Sequence, residues 1–220
     1  MPKVASTKTK KIRHMGEGVG KEYSPYITTS EFNSLGTTSV IVDWKTGRGV
    51  HCLSQGEAYW YYVLRWDDDN VDIREQYPLD NAITTKLAEE NGIRHPYNIM
   101  TTDFLVTKAD NTYHAYSVKA TKRELNQRTV EKLFLEKLYW ESKNILFDLL
   151  FKEDLNMILA RNIRCIVPFY DESNVYDDFS LVKHDIANKK INVDLAKEKD
   201  INKFVEEYIA EKGVHYARTN

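Results

Sequence analysis

The chain has 220 residues, 42% of them hydrophobic and 12% aromatic, and a formal net charge of −2. This is one moderate domain's worth of core with room for a small appendage, which excludes a disordered or fibrous chain. No apolar run approaches the roughly 18 residues of a spanning helix, and Cys52 and Cys165 form no C-x-x-C pair, so a membrane span, a disulfide framework and a zinc knuckle are not expected and a reducing, cytoplasmic setting is.

Residues 1–22 carry Lys3, Lys8, Lys10, Lys11, Arg13, His14 and Lys21 against the acids Glu17 and Glu22, and Gly16, Gly18 and Gly20 interrupt any helix. The stretch lacks the apolar core of a secretory signal. It reads as a flexible basic arm, either a solvated terminus or an arm that touches a DNA backbone through Lys8, Lys10, Lys11 and Arg13. Residues 37–44 are strand-like, and residues 50–53 form the second half of a hairpin. Ser54 then opens a helix through Trp66. Ser54 and Glu57 fit a capping box, so Glu57 is a cap or, if other charges converge on it, a site residue. Asp67, Asp68 and Asp69 lack the spacing of a calcium loop and read as a solvated turn. Residues 71–78 are a short strand ended by Pro78, with Val71, Ile73 and Glu75 on one face; a buried Glu75 needs a partner. Residues 82–91 suit a helix stopped by Gly92.

Residues 101–107 and 113–119 are two alternating strands joined by a polar turn. Paired about Asn111, they set Asp103 nearly opposite Lys119, while Ser117 and Lys119 share one face and Val118 takes the other. The pair is either a cross-strand ion pair or one end of a metal site. Residues 124–140 form the clearest amphipathic helix. Its stripe is Val130, Phe134 and Leu138, broadened by Leu133, and Glu136 lies beside apolar neighbours as a seam residue or a site residue. Residues 144–151 form an apolar run of the kind seen in strands buried on both faces. A helix at 154–161 and a short strand at 163–168 follow. After Tyr170 the composition turns polar, with helical stretches near 180–189 and 201–212 whose apolar stripes are thin.

The expected fold is α/β, a mixed central sheet flanked by helices with a small helical C-terminal appendage. The divisions are a basic arm (1–22), a catalytic domain (23–169) and a partner-binding C-terminal segment (170–220). Glu57, Asp103 and Lys119, with Glu136, make a set of carboxylates and one lysine. Such a set suits Mg²⁺ and the cutting of phosphodiesters: the carboxylates and the Val118 carbonyl hold the ion, and the lysine orients the water or offsets charge on the phosphate.

Several strings carry a more specific signal: Gly20-Lys21-Glu22-Tyr23, Leu53-Ser54-Gln55-Gly56-Glu57, Asp72-Ile73-Arg74-Glu75-Gln76-Tyr77-Pro78-Leu79, Gly92-Ile93-Arg94-His95-Pro96, Thr102-Asp103-Phe104-Leu105-Val106, Val118-Lys119, and Glu131 through Trp140. In this order, over roughly residues 20–168, they resemble the TnsA endonuclease subunits of heteromeric cut-and-paste transposases, which have a restriction-endonuclease-like fold of the PD-(D/E)xK kind. The resemblance implies catalytic Glu57, Asp103 and Lys119, and Mg²⁺, replaceable by Mn²⁺, on Glu57, Asp103 and the Val118 carbonyl, with Glu136 as a further ligand. It also implies nicking of the 5′ strand at transposon ends beside a TnsB-like transposase and a TnsC-like AAA+ ATPase, in a bacterial, nucleoid-associated setting. One position departs from the pattern: Ser117 stands where Gln or Glu is frequent, and a hydroxyl holds a metal-bound water rather than the ion. The alternatives are a stand-alone restriction or repair nuclease and a non-catalytic bridging scaffold.

Overall fold

The computed structural model describes residues 5–31 and 37–216, with Lys3 of the basic stretch outside them. In chain order the elements up to the end of the sheet are α1 (Thr7–Ile12), β1 (Ser39–Val42), β2 (Gly49–Cys52), α2 (Gln55–Trp66), β3 (Asn70–Pro78), α3 (Asn81–Glu90), β4 (Thr101–Lys108), β5 (Tyr113–Lys119), α4 (Gln127–Glu141) and β6 (Leu146–Phe151). Three helices follow: α5 (Met157–Ile166), α6 (Asp178–Ala187) and α7 (Ile201–Lys212). The chain divides into two compact units. One holds the described residues up to Ile41 together with Gly49–Asp154, and the other holds Val42–Arg48 and the residues from Leu155 on.

The first unit is built on a four-stranded sheet in the order β3-β4-β5-β6. β3, β4 and β5 are antiparallel neighbours, and β6 joins β5 in parallel, so the sheet is mixed. Neighbouring residues of β4 face opposite layers. Phe104 meets Tyr61 of α2, with ring centroids 6.1 Å apart. Leu105 belongs to the core formed with Leu79, Ala88, Met100, Ala115, Leu135, Tyr139 and Trp140, beneath α3 and α4. Helices therefore cover both faces. Local chemistry fixes their starts: the side chains of Ser54, Asp80 and Asn126 accept from the first free backbone N–H groups of α2, α3 and α4.

The second unit has a core of its own. Ala160, Ile163 and Ile166 of α5, Val182 and Ile186 of α6, and Ile201 and Val205 of α7 are all buried. The Asn162 amide ties α5 to the loop before α7 by donating to the carbonyls of Leu195 and Glu198, at 2.9 and 2.7 Å. The thin stripes in the sequence hid this core because no single helix here fills it. Besides Val42–Arg48, the unit takes up the chain from Leu155, ahead of the composition change at Tyr170. Residues 163–168, expected as a strand, are instead the end of α5 and a 3-10 turn, Val167–Phe169. The alternation of apolar residues there is the buried side of a helix.

Three further expectations are corrected in the first unit. The basic stretch is not an unstructured arm throughout, since Ser6 caps α1 and Lys10 is buried against Glu31 at 3.1 Å. The run 144–151 is not a strand buried on both faces; β6 lies at the sheet edge, and Leu146 is 70% exposed. In α4 the inward face is Leu135, Glu136, Tyr139 and Trp140, whereas Val130 and Phe134 are exposed. The large aromatic pair Tyr139 and Trp140 buries more surface than the stripe of Val130, Phe134 and Leu138 would, which sets the rotation of the helix. Among the described residues no helix is long and apolar enough to cross a membrane. The facing of α4 has a direct check by chemical denaturation: Leu135→Ala should destabilise by about 2–5 kcal/mol, and Phe134→Ala by less than about 1 kcal/mol.

Candidate active site

The hairpin of β4 and β5 pairs Phe104 with Tyr116. Its register is set by a tight turn in which Asn111 adopts φ 66°. By continuation, Ser117 and not Lys119 lies opposite Asp103, and Lys119 is the diagonal neighbour. The Lys119 ammonium lies 3.9 Å from Asp103 Oδ2 and donates to the Val118 carbonyl at 2.9 Å. The Val118 N–H donates to the same carboxylate oxygen at 2.7 Å.

Glu57 enters from the first turn of α2. Its backbone N–H donates to Ser54 Oγ at 3.1 Å, and its carboxylate Oε2 reaches back to accept from the Leu53 N–H at 2.9 Å. The Ser54 side chain caps the helix, but the Glu57 carboxylate closes on the residue before Ser54, so the reciprocal half of the expected capping box is not formed. A third side chain links the two acids. The amide Nε2 of Gln76 donates to Glu57 Oε2 and to Asp103 Oδ1, each at 3.2 Å, while its Oε1 accepts from the Thr101 hydroxyl at 3.1 Å. Gln76 is 2% exposed and sits opposite Asp103, between the pairs Glu75–Phe104 and Tyr77–Thr102. Its φ is 48°. A left-handed residue other than glycine inside a paired strand costs on the order of 1–3 kcal/mol and is found where function holds it. Sequence reasoning missed Gln76; the signal was the distinctiveness of the string around it.

The remainder of that string is framework. Glu75, fully buried, accepts from the His51 N–H at 3.0 Å. Asp72 accepts from the Gly20 N–H and lies 3.5 Å from Arg74 Nε. The Arg74 guanidinium sits over the rings of Tyr77 and Tyr113.

Ser117 and Glu136 form a second cluster. The Ser117 hydroxyl lies 2.8 and 2.9 Å from the two Glu136 oxygens, and Thr102 Oγ1 donates to Oε1 at 2.6 Å. The Trp140 indole N–H in turn donates to Thr102 Oγ1 at 2.7 Å. Both oxygens of Glu136 are thus occupied by hydroxyls. Burial, reinforced by the charge of Asp103, raises the Glu136 carboxyl to about 7, and burial followed by Asp103 raises Glu57 to about 8.

Asp103, Ser117, Lys119 and Glu136 open onto a cavity of about 520 Å³, whose other walls include Tyr97, Arg128 and Lys132. Of the basic residues expected to touch DNA, Lys8, Lys11 and Arg13 are exposed, and Lys10 is committed to Glu31 and the Tyr26 carbonyl.

Among the described residues no three His, Cys, Asp or Glu side chains form a ligand cluster. The donor set nevertheless fits a hard cation on two counts. Two carboxylates converge on one positively polarised N–H₂ group, the environment a cation seeks. Burial and mutual charge also make Glu57 costly to ionise without a compensating ion.

Residues 67–151 match a family model described as TnsA-like endonuclease N terminal. That span contains Gln76, Asp103, Ser117, Lys119 and Glu136 and leaves Glu57 outside. The chain is also 37% identical over 155 residues to the transposon Tn7 transposition protein TnsA of Escherichia coli, a match covering 67% of this chain and 57% of that protein.

The raised carboxyls set a pH dependence. Between the unfolded value near 4.5 and the folded values near 7 and 8, the folded chain holds protons that the unfolded chain has released, so stability falls as pH rises. The melting temperature of the metal-free chain should drop by several °C between about pH 5 and about pH 8. Glu136→Gln should flatten the lower part of that profile; an equally steep fall in the variant would rule out Glu136 as a source.

Proposed function

On the premise that the chain carries a TnsA-like endonuclease domain, we propose that it is the DNA-cutting subunit of a transposition system, nicking the 5′ strand at transposon ends beside a TnsB-like transposase and a TnsC-like ATPase. The observation that carries this reading is that the Gln76 amide bridges Glu57 of α2 and Asp103 of β4, while Lys119 of β5 lies 3.9 Å from Asp103 and lines one cavity with it.

Glu57, Asp103 and the Val118 carbonyl would hold Mg²⁺, with Mn²⁺ as a substitute. Once bound, the ion supplies positive charge to the phosphate and lowers the pKa of the attacking water. Lys119, steered by the Val118 carbonyl and Asp103, offsets the negative charge that builds on the phosphate. Glu136 contributes as an anchor, since it holds the Ser117 hydroxyl and so fixes the strand that carries Val118 and Lys119. The cavity takes the DNA backbone next to the cut. Lys132 is exposed on its wall and available to a phosphate, whereas Arg128 is engaged with the Arg94 carbonyl and Glu131.

Two experiments bear on this. With a supercoiled donor and the reconstituted partners, Asp103→Ala should abolish cleavage without loss of assembly, and Lys119→Ala should lower the rate about 10²–10³-fold. Full cleavage by either variant would favour a bridging scaffold, and efficient cutting by the chain alone would favour a stand-alone nuclease. In DNA titrations over a range of salt, Lys132→Ala should weaken binding to all sequences alike and reduce the salt slope by about 1.

A further inference from the structure

Two carboxylates and one backbone carbonyl are few ligands for a hard cation, which favours six oxygens. The hydroxyl of Ser117 is turned toward Glu136, 2.8 and 2.9 Å from its two oxygens. The side chain that lies against both Glu57 and Asp103 is Gln76, and it carries an oxygen. That oxygen now faces Thr101, whose hydroxyl donates to it at 3.1 Å. A hydroxyl accepts as readily as it donates. If the Gln76 amide turns over, its N–H₂ donates to Thr101 Oγ1 and its Oε1 faces the gap between the carboxylates. The contact with Thr101 is kept in both orientations. The turn replaces two N–H contacts with an amide oxygen, a ligand type that hard divalent cations accept. The left-handed backbone at Gln76 fits this role, because a residue that only filled the strand would relax to the extended region.

We propose that Gln76 is a metal ligand with two orientations. Without the ion its amide nitrogen holds Glu57 and Asp103 together, and with a divalent cation present its amide oxygen completes the site, with Thr101 as the pivot. The inference rests on the metal site proposed above and goes beyond it in naming a third side-chain ligand, supplied from β3.

The test is calorimetric titration of the full chain with Mn²⁺, without DNA, so that binding and not cleavage is read. Gln76→Met, close in shape and without an oxygen, should weaken Mn²⁺ binding at least about tenfold. Gln76→Glu, which keeps an oxygen there, should bind as tightly as the unaltered chain or more tightly. Thr101→Val, which removes the pivot, should weaken binding by less than Gln76→Met does. Unchanged or tighter binding by Gln76→Met would overturn the inference and leave the amide as a bridge alone. Should Gln76→Met fail to fold, weaker binding by Gln76→Glu overturns it equally. If the unaltered chain binds no Mn²⁺, the metal reading under the proposed function falls as well, which separates the two failures.

Discussion

Two negative charges brought together out of water repel each other, and much of this site is an answer to that repulsion. Glu57 and Asp103 come from different elements, α2 and β4, and neither has an arginine beside it. Four features offset the charge in the described structure: the Gln76 amide between the acids, the Leu53 N–H on Glu57, the Val118 N–H on Asp103, and the Lys119 ammonium 3.9 Å from Asp103. Each constrains the backbone that carries it. Gln76 takes a left-handed φ inside a strand, Glu57 is fixed by its own cap, and Lys119 folds back onto the carbonyl of its neighbour. The strain and the buried charge are tolerable because two packed layers hold the strands in place.

The second cluster explains why the floor of the site is rigid. Trp140, Thr102, Glu136 and Ser117 form one continuous run of hydrogen bonds that joins α4 to β4 and β5. Every member is buried, and the Glu136 carboxylate has a donor on each oxygen. Fully satisfied networks of this kind fix geometry, and incomplete ones are costly. Glu136 therefore ties α4 to the strands that carry Asp103 and Lys119.

Much of this was legible in the sequence where one physical signal dominates. Period-two alternation marked β4 and β5, the capping serine marked the start of α2, and residue type singled out Glu57, Asp103 and Lys119. The signals failed where the outcome depends on competition between elements. The hairpin register turned on which turn residue goes left-handed, so Ser117 and not Lys119 came opposite Asp103. The rotation of α4 was decided by Tyr139 and Trp140 against an equally periodic apolar stripe through Val130, Phe134 and Leu138. The edge position of β6 depends on what pairs beyond it, which its own apolar residues do not reveal. No periodic pattern predicts a glutamine at positive φ, so Gln76 was visible only as part of an unusual string.

Ser117 links these failures to the chemistry. Two residues before Lys119 and on the same face of β5, a longer polar side chain at that position would reach toward Asp103. The short hydroxyl instead turns to Glu136 and closes the buried network. Gln76 stands on the far side of Asp103, on β3, with an amide already in contact with both acids. In an antiparallel sheet the residues opposite one another on neighbouring strands are spatial equivalents, so the two strands flanking β4 reach the carboxylate of Asp103 from either side. An oxygen for the proposed ion that β5 does not offer is then most directly offered from β3. The position where the sequence leaves the pattern and the position where the backbone is left-handed thus lie on the two strands that flank Asp103.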